Sequence, residues 1–152
     1  MIEIERKFLV KGDFMPFVTK KVKIVQAYIC STKEKTVRVR IKGEKAYITI
    51  KGPSNDNGFS RAEFEYEIPV ADATEMLKLC DRFIEKVRHY VVYEGHTFEV
   101  DVFHGMDEGL ILAELELESE DEDFSKPDWI GEEVTGDIRY YNAYMAEYPY
   151  KS

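Results

Sequence analysis

The sequence predicts an α+β fold: one mainly antiparallel sheet large enough to close into an eight-stranded β-barrel, a tunnel with a polar lumen, and a few covering helices. Three observations carry this. Eight runs alternate in polarity, at 2–10, 22–29, 36–41, 46–51, 62–68, 84–93, 97–103 and 110–118. Glycines fall between many of them, at Gly43, Gly52, Gly58, Gly95, Gly105 and Gly109, where an antiparallel chain must turn. Nearly every run also has one oily side and one ionic side, the period of two expected of strands.

The first run contains Glu3-Ile4-Glu5-Arg6-Lys7. Side chains at i and i+2 share a strand face, and with a rise of about 3.3 Å per residue Glu3 and Glu5 stand roughly 6.6 Å apart, with Lys7 next in line. Two carboxylates at that spacing can close on one hard cation. Arg38, Arg40 and Lys42 oppose Val37, Val39 and Ile41, and Lys51 shares a face with Tyr47 and Thr49. Arg61, Glu63, Glu65 and Glu67 oppose Ala62, Phe64, Tyr66 and Ile68, and Lys86 and Arg88 flank Val87. Glu99 and Asp101 oppose Phe98, Val100 and Val102, and Glu114, Glu116 and Glu118 oppose Ala113, Leu115 and Leu117.

Between strands, the stretch 52–58 is rich in Gly, Pro and Asn and is expected to be a mobile loop that could act as a flap. A helix is expected to start at Asp72, where Asp72 and Glu75 form an acidic capping box, with Ala73, Met76, Leu77 and Cys80 on its apolar face. A second is expected over 137–147, with Ile138, Tyr141 and Met145 on one side and Pro149 just beyond. Both read as covers for the oily outside of the sheet. The acidic run 116–123 reads as a solvated loop beyond Glu116.

A chain of 152 residues with 44% hydrophobic content fits one domain, 1–152, without repeat or linker. Its formal charge of −9 argues against a nucleic-acid partner bound through a broad basic surface. No apolar run has the length of a membrane span, and Glu3, Glu5, Arg6 and Lys7 interrupt any signal-peptide pattern, so a cytoplasmic location is expected. Cys30 and Cys80 lack C-x-x-C spacing and read as reduced thiols. His89, His96 and His104 lack ligand spacing. Tyr28 is read either as a residue of the tunnel mouth or as packing, and Trp129 with the C-terminal tyrosines as packing.

Any one strand is explained by a charged face in water. The whole set is not, because its charges are segregated by sign. Basic doublets Arg38/Arg40 and Lys86/Arg88 and acidic doublets Glu3/Glu5 and Glu114/Glu116 repeat the i, i+2 spacing, and like charges so placed repel unless a counter-ion or ligand sits between them. With these faces turned inward, the lumen would carry carboxylates and a basic wall. Carboxylates without His or Cys select Mg²⁺ or Mn²⁺ over zinc or copper. A wall of Arg and Lys facing such a metal calls for a polyanion, with a chain of phosphates the natural candidate.

In their order along the chain, Glu3-x-Glu5-x-Lys7, Arg38-x-Arg40, Lys51, Arg61-x-Glu63, Lys86-x-Arg88, Asp101 and Glu114-x-Glu116 resemble the CYTH domain of the triphosphate tunnel metalloenzymes, over essentially the whole chain. That family includes inorganic triphosphatases, thiamine triphosphatases, class IV adenylyl cyclases and RNA triphosphatases. The resemblance implies a metal-dependent triphosphatase with an eight-stranded tunnel. It implies that Glu3, Glu5 and Glu116 hold a first metal, and that Glu114, with Asp101, holds a second that polarises the attacking water. Lys7, Arg38, Arg40, Lys51, Arg61, Lys86 and Arg88 would line the phosphate path, with Glu114 and Lys86 the catalytic members. The expected cofactor is Mg²⁺ or Mn²⁺, the partner a triphosphate-containing small molecule, and a homodimer stays open. The first expectation is cleavage of inorganic tripolyphosphate to pyrophosphate and phosphate. The alternatives are cyclisation of ATP, hydrolysis of thiamine or nucleoside triphosphates, and a phosphate-binding module without catalysis.

Overall fold

The computed structural model describes residues 2–55 and 59–150. Nine strands form among them: β1 (Ile2–Val10), β2 (Val18–Ser31), β3 (Thr36–Lys42), β4 (Lys45–Lys51), β5 (Ser60–Ile68), β6 (Ile84–Tyr93), β7 (His96–His104), β8 (Ile111–Glu116) and β9 (Ile130–Glu133). The sheet runs β5-β4-β3-β2-β6-β7-β8-β1 with every neighbour antiparallel, and β1 returns to β5 through Ile2↔Ala62, Glu3↔Arg61 and Ile4↔Ser60. These eight strands close the expected barrel. Closure uses only the first half of β1. The other half extends past β5 and pairs with β9 at Phe8↔Glu133 and Val10↔Ile130. β9 has four residues and no alternating pattern, which is why the sequence does not announce it.

All eight expected runs become strands, and the differences lie at their ends. β2 begins at Val18 because Lys20 and Lys21, which spoil the alternation, still pair with Tyr90 and His89 of β6. Hydrogen bonding to a neighbouring strand outweighs the local pattern there. A register shift between Tyr28 and Cys30 lets this long strand bend around the barrel. In the loop expected to be a flap, Gly52 and Asn55 are tied to β5 by backbone bonds to Ala62 and Ser60. Asp56, Asn57 and Gly58 lie outside the described residues.

Three apolar clusters hold the barrel. Phe8, Val91, Phe98, Val100, Ala113 and Leu115 on its outer wall are covered by Phe14, Leu117, Trp129 and Ile130. On the other side Ala27, Val39 and Ala46 are covered by Ala73 and Leu77 of helix α1 (Val70–Leu77), with Met76 and Cys80 packed alongside, as expected. α1 starts two residues before Asp72 and has no side-chain cap: Pro69, with φ −60°, ends β5 and opens the helix. Asp72 instead lies in the first turn, where a carboxylate favours the helix N-terminus. The outer wall of β4 and β5 is less covered, leaving Phe64 48% and Tyr66 61% exposed. Cys30 and Cys80 are free thiols.

The third cluster closes one end of the tunnel. Leu9, Ile84, Phe103 and Leu112 continue the inward parity of Lys7, Lys86, Asp101 and Glu114, and they pack with Leu110, Val134, Met145 and Tyr140. The helix expected over 137–147 is broken here. A 3₁₀ turn over Ile138–Tyr140, capped by the Asp137 side chain, is separated from α2 (Asn142–Glu147) by Tyr141 in extended conformation. Of its expected apolar side only Met145 is buried. Ile138 is exposed, and the break turns Tyr141 and Asn142 into the tunnel. This second helix is therefore an end cap, not an outer cover.

Phe8 is fully buried where β1, β8 and β9 meet. Phe8→Ala is expected to cost about 3–5 kcal/mol, read as a lower urea midpoint with an unchanged denaturant slope.

Candidate functional site: an ion-lined tunnel

The inward faces enclose a cavity of about 230 Å³. β1 supplies Glu3, Glu5 and Lys7. Because β8 runs antiparallel to it, Glu116 stands beside Glu5 and Glu114 beside Lys7. β3 and β4 contribute Arg38, Arg40, Thr49 and Lys51, β5 contributes Arg61, Glu63 and Glu65, β6 contributes Lys86 and Arg88, and β7 contributes Glu99. Eleven of the twelve residues expected at the site line this one cavity. Asp101 does not. It points inward but lies below the cavity lining, 1% exposed, with Arg88 Nε and Nη2 donating to its two oxygens at 2.8 and 2.9 Å and Lys86 Nζ 2.7 Å from Oδ2. Both oxygens are thus taken by cations, with Glu114 near enough to act against the pull of Arg88 and Lys86 on the Asp101 carboxyl.

Most remaining charges are answered within the wall. Lys51 Nζ donates to both Glu3 oxygens at 2.9 and 3.0 Å and sits 3.4 Å from Glu63, and Arg61 Nε is 3.5 Å from Glu3. Lys7 Nζ is 3.7 Å from Glu114. Arg38 reaches Thr49 at 3.2 Å and Glu65 at 3.6 Å, while its Nε is buried without a partner. Arg40 Nε donates to Gln26 Oε1 at 3.0 Å. Glu5 and Glu116 form no ion pair or side-chain hydrogen bond among the described residues.

Proton affinities follow from this arrangement. Burial, with Glu114 and Glu3 nearby, pushes Glu5 up to about 8. Burial, with Glu99 and Glu3 nearby, pushes Glu116 up to about 7. Burial acts the same way on Glu114, but Lys7, Arg88 and Lys86 outweigh it and hold its carboxyl well below the usual range. Burial lowers Lys86 to about 7 against the pull of Asp101, and burial with Arg38 and Arg88 lowers Arg40 to about 9. Like charges crowd on both walls, and the two unpaired carboxylates bear most of the acidic strain.

The donor set suits a hard divalent cation: carboxylates, two of them unpaired among the described residues, with no His or Cys in the wall. Among the described residues no three acidic, His or Cys side chains converge as a ready-made cluster. Glu3 and Glu114 are held by lysines, so cation binding there exchanges one partner for another.

Sequence parity placed Thr49, Glu63, Glu65 and Glu99 on inward faces without giving them a role. Gln26 was missed, although a lone amide in an apolar run facing a basic doublet was an available signal. Tyr141 and Asn142 were hidden because a continuous helix would have turned Tyr141 onto its apolar side. Tyr28 lines the tunnel and packs on the end cluster that closes it.

A family profile described as the CYTH domain matches residues 1–143. A protein of Acetivibrio thermocellus named inorganic triphosphatase is 51% identical over 152 residues, covering 99% of this chain and 96% of that protein. One of Nitrosomonas europaea with the same name is 38% identical over 151 residues, covering 96% and 97%. The crystal structure of an inorganic triphosphatase superposes with a TM-score of 0.69 at 35% identity, covering 95% of this chain and 93% of that one.

Two outcomes are expected. Folded Glu5 keeps its proton up to about 8, whereas an unfolded glutamate releases it near 4.5, so between those values the folded state binds more protons and stability falls as pH rises. In metal-free buffer Glu5→Gln therefore melts above wild type at pH 8, and the gain fades toward pH 5. Asp101→Asn leaves Arg88 and Lys86 without their buried counter-charge and is expected to cost about 3–5 kcal/mol by chemical denaturation.

Proposed function

The chain belongs to the CYTH domain family, and on that premise we propose that its tunnel hydrolyses inorganic tripolyphosphate to pyrophosphate and phosphate with a divalent cation, Mg²⁺ or Mn²⁺. The observation that carries the reading is the lining. Seven of the expected residues are cations lining one cavity, and the apolar surface that an organic end group would need is scant. Tyr141, the aromatic nearest to a stacking platform, has its ring taken by Lys7 Nζ at 4.9 Å and Arg61 Cζ at 5.5 Å from the centroid. The names of the close relatives support the same substrate.

Phosphoryl transfer asks little covalent chemistry of a protein and much positioning and charge neutralisation. Lys7, Arg38, Arg40, Lys51, Arg61, Lys86 and Arg88 would bind the phosphate oxygens and fix the chain along the tunnel. The unpaired Nε of Arg38 is one donor that a phosphate oxygen would satisfy. Asp101 is a positioning residue in this reading, holding Arg88 and Lys86 at the wall.

Charge balance argues for the cation. Eight cations line the cavity, and its seven carboxylates with Asp101 beneath them match that number once Glu5 and Glu116 give up their protons. A polyanion entering alone would leave the lumen strongly negative. Glu3, Glu5 and Glu116 would hold one cation and Glu114 a second, supplying neutralisation and Lewis acidity at phosphate oxygens.

Purified protein incubated with tripolyphosphate and Mg²⁺ or Mn²⁺ is expected to release pyrophosphate and phosphate in equal amounts, and chelation is expected to stop it. Cyclic AMP from ATP, or faster turnover of thiamine triphosphate, would replace this reading with a relative's chemistry. Binding without turnover would leave a phosphate-binding module. Arg40→Ala is expected to lower kcat/KM by about 10- to 100-fold, the loss of charge-assisted hydrogen bonds to the phosphate chain.

A further inference from the structure

We infer that Asn142 is a substrate-binding residue, which donates a side-chain amide hydrogen to the phosphate chain from the cap of the tunnel. The inference rests on the reading that the tunnel takes a phosphate chain, and it comes from an ordered series of donors. The Arg40 guanidinium can only donate, so the Gln26 oxygen must face it, at 3.0 Å from Nε. The Gln26 amide nitrogen is thereby turned toward Asn142 and donates to its Oδ1 at 3.0 Å. Lys86 Nζ meets the same Oδ1 at 2.9 Å.

The Arg40–Gln26 series thus fixes which way the Asn142 amide points, and Lys86 meets the same end of it. Oδ1 accepts twice, and Nδ2 is left with no hydrogen-bond partner among the described residues, on a side chain that lines the tunnel. Gln26 is fully buried, so its end of the series cannot be re-solvated. A free N–H pair beside Lys86 suits a phosphate oxygen, because it adds a hydrogen bond without adding charge to a wall already crowded with cations. Asn142 comes from the segment that ends the tunnel, next to Tyr141. A phosphate bound there would join this segment to the barrel wall.

A strut for Lys86 is the alternative role, and two substitutions separate them. Asn142→Asp keeps the accepting oxygen but replaces the donor with a second oxygen, whereas Asn142→Ala removes both. Tripolyphosphate binding in EDTA, measured by calorimetry, is expected to weaken about tenfold in Asn142→Ala and further in Asn142→Asp. In ¹⁵N-labelled wild type, the Asn142 side-chain amide protons are expected to shift downfield on adding tripolyphosphate. Wild-type affinity in Asn142→Ala would overturn the inference. So would wild-type affinity in Asn142→Asp alone, which would assign a strut, or an unmoved amide signal in a protein that binds. A wild type that binds tripolyphosphate but does not cut it with Mg²⁺ or Mn²⁺ supplied would sink the proposed reaction while leaving this residue's role in place, and one that does neither would sink both.

Discussion

The bidentate pair between Arg88 and Asp101, with Lys86 against the second Asp101 oxygen, is the contact on which the tunnel depends. A barrel that turns its ionic face inward forgoes the solvent that would otherwise screen those charges, and each must be answered by a partner. Asp101 does this from inside the barrel, beneath the cavity, so it neutralises two cations without lining the space they face. Arg88 and Lys86 are then held with their remaining hydrogen-bonding capacity inside. Removing such an anion would leave like charges facing one another at close range.

From that anchor the rest of the lumen reads as a graded balance. Lys51 and Arg61 hold Glu3, and Lys7 lies against Glu114, while Glu5 and Glu116 have no ion-pair partner among the described residues. Their raised proton affinity is the physical sign of that imbalance. Incoming positive charge gains most at those two residues, and incoming negative charge gains most at Arg38 and Arg40. The interior therefore favours a ligand that brings both signs together, a polyanion with its counter-cation.

The outer wall solves the opposite problem. Its apolar faces need covers, and α1 supplies one while the segment leading to Trp129 and β9 supplies another. The end cluster of Leu9, Ile84, Phe103 and Leu112 continues the ionic face of four strands in apolar residues, so the same parity that builds the lumen also closes it. Met145 packs there and draws the C-terminal segment over the opening, which brings Tyr141 and Asn142 to the site.

Alternation with a period of two was enough to determine the strands, their two faces and, through the segregation of sign, the inward set from Glu3 to Glu116. Those are local properties, fixed by the geometry of an extended chain. Tertiary structure decided what depends on meeting a distant partner. β9 exists because β1 overhangs β5, the C-terminal helix breaks because Met145 and Tyr141 have different destinations, and both Asp101 oxygens are taken by two cations on β6. A strand's faces follow from its own backbone, but which side chain a charge finally meets is set by closure of the sheet, and no stretch of sequence contains that contact.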